Sequence, residues 1–140
     1  MYLLRMEPTS APHHGGVLIV DETGDCKDGT KTAHVGRQYL ANLGTTDTGV
    51  VSVSTRWADE RISYPLEVKP YTPKHWFAQG TADPAFRTKP QIAVELVERA
   101  VIEQWPFRAV VADACYGEVV GAVDHARAIL ARAVATTSTT

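Results

Sequence analysis

No stretch constrains this chain more than Val17-Leu18-Ile19-Val20-Asp21-Glu22-Thr23-Gly24. Four apolar residues, three of them β-branched, run directly into two carboxylates and a glycine. A run this short and this apolar fits a buried strand. Such a strand fixes its backbone inside a sheet, and an acid at its end emerges at the sheet rim, where solvent or a ligand can reach it. Arg108-Ala109-Val110-Val111-Ala112-Asp113 repeats the design. The expectation is that Asp21 and Asp113 end neighbouring strands and share one divalent cation.

The segments between them set their relation. Thr23 to Thr32 reads as a polar loop. Its Gly24…Gly29-Thr30-Lys31 spacing only superficially matches a phosphate-binding loop, because Lys and Thr are in the wrong order and Asp25 and Asp28 would repel phosphate. Val50, Val51, Val53 and Trp57, interleaved with Ser and Thr, predict a strand over Thr48 to Trp57. Ala58 to Arg61 is a hairpin connection, and Ile62 to Tyr71 alternates as a further strand. Pro65 and Pro70 place that strand on an edge, where a missing N–H is tolerated. Thr72 to Pro84 is a loop whose Trp76 and Phe77 are expected to cover one end of the core.

The clearest helix opens at Lys89-Pro90 behind Thr88 as N-cap. Ile92, Ala93, Leu96, Val97, Ala100 and Val101 share one face at helical spacing, Glu95, Glu98, Arg99 and Glu103 the other, and Trp105-Pro106 stops it. A strand reached through such a helix is most simply parallel to the strand it joins. The class is therefore α/β, a mixed sheet in β-β-β-α-β order, with a C-terminal helix over Ala126 to Val134. Residues 1–16 are expected to form a flexible arm, 17–118 the core, and 119–140 a divergent, partly helical tail ending in Thr and Ser.

Composition narrows the function. At 140 residues the chain is one domain, with 44% apolar and 21% charged residues, which argues against wholesale disorder. A net charge of −2 makes any nucleic-acid contact local rather than a whole-surface field. Two cysteines, Cys26 and Cys115, form no disulfide framework and point to the cytoplasm. They read as small, partly buried thiols rather than a soft-metal site with His34. The longest apolar runs are too short to span a bilayer, and the N-terminus lacks a signal-peptide layout.

Two carboxylates a few ångströms apart repel one another without a cation between them. Hard oxygen ligands with no clustered His or Cys favour Mg2+ or Mn2+ over zinc. A metal held this way supports in-line displacement at phosphorus. Strand-end acids also occur in α/β proteins without any shared site. The opening strand alone would suit a receiver-like phosphotransfer domain, but that fold needs a helix directly after it, and here a loop and two strands follow.

The residues also carry a resemblance. Asp21-Glu-Thr-Gly-Asp-Cys-Lys-Asp-Gly29, Val35-Gly-Arg-Gln-Tyr39 and Leu43-Gly44 are similar to the first catalytic block of bacterial insertion-sequence transposases, the DDE superfamily endonucleases with an RNase H-like core. Tyr71-Thr-Pro-Lys-His-Trp76, Phe86-Arg-Thr-Lys-Pro-Gln91 and Phe107-Arg-Ala-Val-Val-Ala-Asp113 with Tyr116-Gly117 resemble the blocks that follow, in order, across residues 17 to 118. The resemblance implies a partial RNase H-like fold in which Asp21 and Asp113 are the first two acids of a D-D-E metal triad. It implies Mg2+ (or Mn2+) as cofactor and DNA, with a possible second copy of the chain, as partners. Local charge and loop position add Lys27, Arg37, Arg87 and Lys89 as candidate phosphate contacts. The third acid has no counterpart: Glu118 is too close to Asp113, and Asp124 lies where the likeness has ended. The expectation is a truncated or frameshifted, inactive fragment with an exposed sheet edge. The alternative is a non-catalytic remnant that binds DNA or an intact transposase.

Overall fold

The computed structural model describes residues 11–29, 31, 33–40, 43–113, 121, 123–128 and 131–132. Its backbone is organised by one long strand, β3 (Thr45–Ala58), with β1 (Val17–Cys26) antiparallel along one side from Val17↔Ala58 to Cys26↔Gly49. The other side of β3 is divided. Its first residues pair with β2 (Gly36–Leu40), and Ser52 to Ala58 pair with β4 (Ser63–Pro70). Helix α1 (Lys89–Ile102) then returns the chain to β5 (Ala109–Val111), which joins β1 in parallel, Val17↔Ala109 to Ile19↔Val111. The sheet order is β2-β3-β1-β5, with β4 on β3. This is the expected α/β class with a mixed sheet, compatible with a partial RNase H-like fold.

Helix α1 forms as its sequence dictates. The Thr88 hydroxyl accepts the Gln91 N–H, the Gln91 side chain accepts the Thr88 N–H, and Pro90 lies in the first turn. The six residues assigned to its apolar face are the six that are buried. They pack on Leu18, Val20, Val53 and Trp57 to make the core. Trp57 is fully buried, and its indole N–H donates to the Pro106 carbonyl at 2.6 Å. Residues 123–128 are helical, and Ala126 and Val123 pack against this core, with the Arg127 guanidinium 5.3 Å from the Phe107 ring. Ahead of β1, His13 Nε2 meets Asp59 at 2.9 Å and Gly16 is buried against Trp57.

Three boundaries differ from expectation. The first strand does not stop at Glu22 but runs to Cys26, because β3 is long enough to pair with all ten residues. Thr23 to Cys26 is therefore strand, not loop. Gly24 is buried there beneath the Leu40 side chain, which a Cβ would strike. β2 is an additional strand, making the order β-β-β-β-α-β. Its inward positions are Gly36, Gln38 and Leu40, and Gln38 donates its amide to the Gly49 carbonyl at 3.0 Å. β5 is shorter than Phe107 to Asp113, with Phe107 buried ahead of it. Pro65 is in β4, which has β3 as its one partner among the described residues, beside a register shift at Thr55/Arg56. Tyr2 to Leu4, Cys115, Tyr116, Gly117, Glu118 and the terminal Thr and Ser residues lie outside the described residues.

Candidate metal and nucleic-acid site

Side chains alternate across a strand, so the sheet has two unlike faces. Leu18, Val20 and Glu22 of β1 face α1 together with Trp57, Thr55 and Val53 of β3. Val17, Ile19 and Asp21 point the other way, with Ala58, Arg56 and Ser54 across from them and Ala109 and Val111 on β5. The parallel register ends at Ile19↔Val111. Asp21 and Asp113 each lie two residues beyond that last pair, Asp21 still within β1 and Asp113 past the end of β5. Both residues are exposed. Contrary to expectation, neither acid ends its strand: Asp21 is in the middle of β1, which runs on to Cys26, and Asp113 follows β5 by two residues.

Asp21 is held from two sides. Its Oδ1 accepts the Glu22 N–H at 2.8 Å, and its Oδ2 is 3.9 Å from Arg56 Nη2. The neighbouring carboxylate takes the opposite face. Glu22 is paired with Lys89 Nζ at 2.7 Å, and the same ammonium is 5.6 Å from the centre of the Tyr71 ring. Carboxylate oxygens are hard donors, the chemistry that suits Mg2+ or Mn2+. Among the described residues no group of three His, Cys, Asp or Glu side chains converges.

The sequence model of the DDE superfamily endonucleases matches residues 2–135, which extends beyond the 17–118 span on both sides. The chain belongs to that family. It is 41% identical over 102 residues to a protein of Microchaete diplosiphon named "Probable transposase for insertion sequence element IS701". That alignment covers 73% of this chain and 26% of the relative, so the chain spans about a quarter of the curated protein it matches. No solved structure matches.

Within this DDE superfamily chain, the basic residues suggested by sequence fall into two groups. Lys27 and Arg37 are exposed, and Arg37, opposite Thr48, shares the open face with Asp21. Arg87 and Lys89 are on the helix side and engaged. Arg87 donates to Glu95 at 2.7 Å and to the Pro84 and Phe86 carbonyls, and Lys89 holds Glu22. The structure therefore does not gather the four around the acid pair. The cation it does bring to Asp21 is Arg56, which sequence reasoning passed over because cross-strand register is not written in local pattern.

Trp76 and Phe77 do not cover the core as expected: Trp76 is exposed, and each is held by contacts of its own. The Trp76 indole N–H donates to the Val35 carbonyl at 2.7 Å, and Phe77 meets Phe86 edge-on at 5.7 Å. Cys26 is exposed rather than partly buried, because it closes β1 at its outer end. Desolvation, its bond to Asp47 and the charges of Asp47, Asp28 and Asp25 push its thiol above the ordinary range, which disfavours the thiolate a soft metal needs. His34 Nδ1 is instead 2.6 Å from the Thr72 hydroxyl. No helix among the described residues is long and apolar enough to cross a membrane.

Proposed function

We propose that this chain carries the two-aspartate part of a metal-dependent phosphoryl-transfer site, and that the activity it serves is DNA cleavage and strand transfer by an insertion-sequence transposase. The parallel β1–β5 pairing carries this reading, since the same register carried on by two residues would set Asp21 beside Asp113 on the open face. Family membership and the name of the Microchaete relative support it. Mg2+ or Mn2+ bound to the two carboxylates would polarise a phosphate oxygen and lower the pKa of an attacking water or 3′-hydroxyl. The chain's own groups hold that site in place. The Glu22 N–H orients Asp21, and the Glu22–Lys89 pair ties this part of β1 to the start of α1. The substrate is DNA, which makes the cytoplasm the place of action.

A second reading has an observation of its own. Among the described residues no third carboxylate joins the pair. A polypeptide with two acids binds DNA and metal but does not cleave, and the 140 residues alone then act as a non-catalytic remnant. One experiment separates the readings. Purified protein is incubated with DNA carrying the element's ends and Mg2+ or Mn2+, and nicked product is scored. Cleavage abolished by Asp113→Asn supports an active site in this chain. Metal-dependent DNA binding without cleavage supports the remnant. Binding of neither ion nor DNA sinks both.

A further inference from the structure

The ion pairs on the helix side of the sheet are hydrogen-bonded: Lys89–Glu22 at 2.7 Å, Arg87–Glu95 at 2.7 Å and Lys69–Glu95 at 2.9 Å. Arg56 is different. Its guanidinium stops 3.9 Å from Asp21 Oδ2, beyond hydrogen-bond range, with 46% of the Arg56 side chain and 60% of Asp21 exposed. An exposed pair this loose contributes little to stability. Its position follows from the register. Arg56 is opposite Ile19 and Asp21 opposite Ser54, so the two are diagonal neighbours on one face, within reach of a long side chain. Ser54 and Ile19 flank it, and neither competes for its charge.

We propose that Arg56 is a phosphate-binding residue that exchanges partners: it rests beside Asp21 in the free protein and takes a non-bridging oxygen of the DNA phosphate next to the acid pair when a divalent cation binds there. The inference rests on the two-aspartate metal site proposed above. The guanidinium fork matches phosphate geometry, and its five donors are not consumed by the contact with Asp21. A dication on Asp21 repels a guanidinium a few ångströms away. The same event that prepares the site for a phosphate therefore frees a phosphate ligand beside it. The open face offers room for the strand. On this side a groove of about 1100 Å³ is lined by Ile19 and Ala58 and by the charged residues Asp59, Glu60, Arg61 and Arg108.

The test uses the full 140-residue chain as wild type, Arg56→Gln and Arg56→Lys, with Asp21→Asn as a control. Mn2+ binding is followed by the loss of the free-ion electron paramagnetic resonance signal. DNA binding is followed by fluorescence anisotropy of a labelled duplex over a salt series with Mn2+ present. Arg56→Gln is expected to bind Mn2+ about 2- to 10-fold more tightly, since a repelling charge is gone. It is expected to bind DNA more weakly, with a slope of log affinity against log salt shallower by about 1, the signature of one lost phosphate contact. Arg56→Lys, which keeps the charge, restores the slope and the wild-type Mn2+ affinity. The opposite signs for metal and DNA distinguish this role from a structural one, in which both affinities fall together. Equal affinities and slopes in wild type and Arg56→Gln overturn the exchange while leaving the Asp21 site standing. Wild-type Mn2+ binding that is absent, or unaffected by Asp21→Asn, overturns the metal site itself and the exchange with it. Wild-type protein that binds Mn2+ through Asp21 but no DNA also overturns the exchange.

Discussion

Under α1, Leu18, Val53, Trp57 and Leu96 are sealed from solvent, and even the carboxylate on that side, Glu22, is tied to a lysine. On the opposite face of the same strands Val17 and Ile19 are half-buried, and Val111, Arg56 and Asp21 are exposed. Adjacent residues supply the clearest contrast. Asp21 and Glu22 differ by one methylene and one position, and the two-residue period of a strand sends one to the open face and the other to the face packed by α1. A run of acids after an apolar strand therefore contains at most alternate members of a site, and the register decides which. If this division is right, substitutions on the covered face should change stability and those on the open face should change ligand binding.

The largest effect is expected at Trp57. Trp57→Ala removes a fully buried indole and its bond to Pro106, and should cost about 3–5 kcal/mol in urea denaturation. Ile19→Ala, one strand position from Leu18 but on the open face, should cost clearly less. Comparable losses for the two would show that the open face is packed in solution. Thr55 sharpens the contrast in the other direction. It is buried on the covered face, and its hydroxyl has no hydrogen-bond partner among the described residues. Thr55→Val keeps the shape and removes the unpaired oxygen, so it should stabilise by about 1 kcal/mol. A loss of stability would reveal a partner for that hydroxyl.

Glu95 provides a smaller, pH-dependent effect. Burial raises its carboxyl pKa, but hydrogen bonds from Lys69 and Arg87 and their charges outweigh it and hold the group below the ordinary range. A carboxyl lowered in the folded state contributes stability that is complete above its unfolded value and is lost as pH falls through the folded one. Glu95→Gln should therefore be less stable than wild type at neutral pH. The gap should close only below about pH 4.5, where the unfolded carboxyl begins to protonate. Thermal unfolding of both proteins from pH 7 downward checks this. A gap that stays constant into acid would show that packing of the Glu95 stem, not its charge, matters.

What could be read from the sequence divides along a physical line. Helix α1 was legible in full, because a capping box, a first-turn proline and a 3.6-residue period are all local. The parallel approach of β5 to β1 was legible through the crossover rule. β2 was not, because its inward side is Gly36, Gln38 and Leu40, an alternation without the apolar residues that make alternation visible. The second half of β1 was hidden for a related reason. Thr23, Gly24, Asp25 and Cys26 read as loop until β3 is known to be long enough to pair with them. Arg56 was invisible as a site residue, since its nearness to Asp21 depends on a register between strands more than thirty residues apart.

The smallest stability effect is expected where the functional effect is greatest. Asp21→Asn keeps an oxygen that can accept the Glu22 N–H, loses only the loose contact with Arg56, and is on the exposed face. Without metal its stability should lie within about 0.5 kcal/mol of wild type. Adding Mn2+ should then separate the two proteins. A ligand that binds only the folded state stabilises it in proportion to RT ln(1 + [L]/Kd), so a concentration a hundred times Kd raises wild-type stability by about 2.7 kcal/mol. Asp21→Asn should gain little or nothing. A thermal shift series in Mn2+ with both proteins decides the matter. Equal shifts would move the metal away from this face, and a large loss of stability without metal would assign Asp21 to the fold instead of the site.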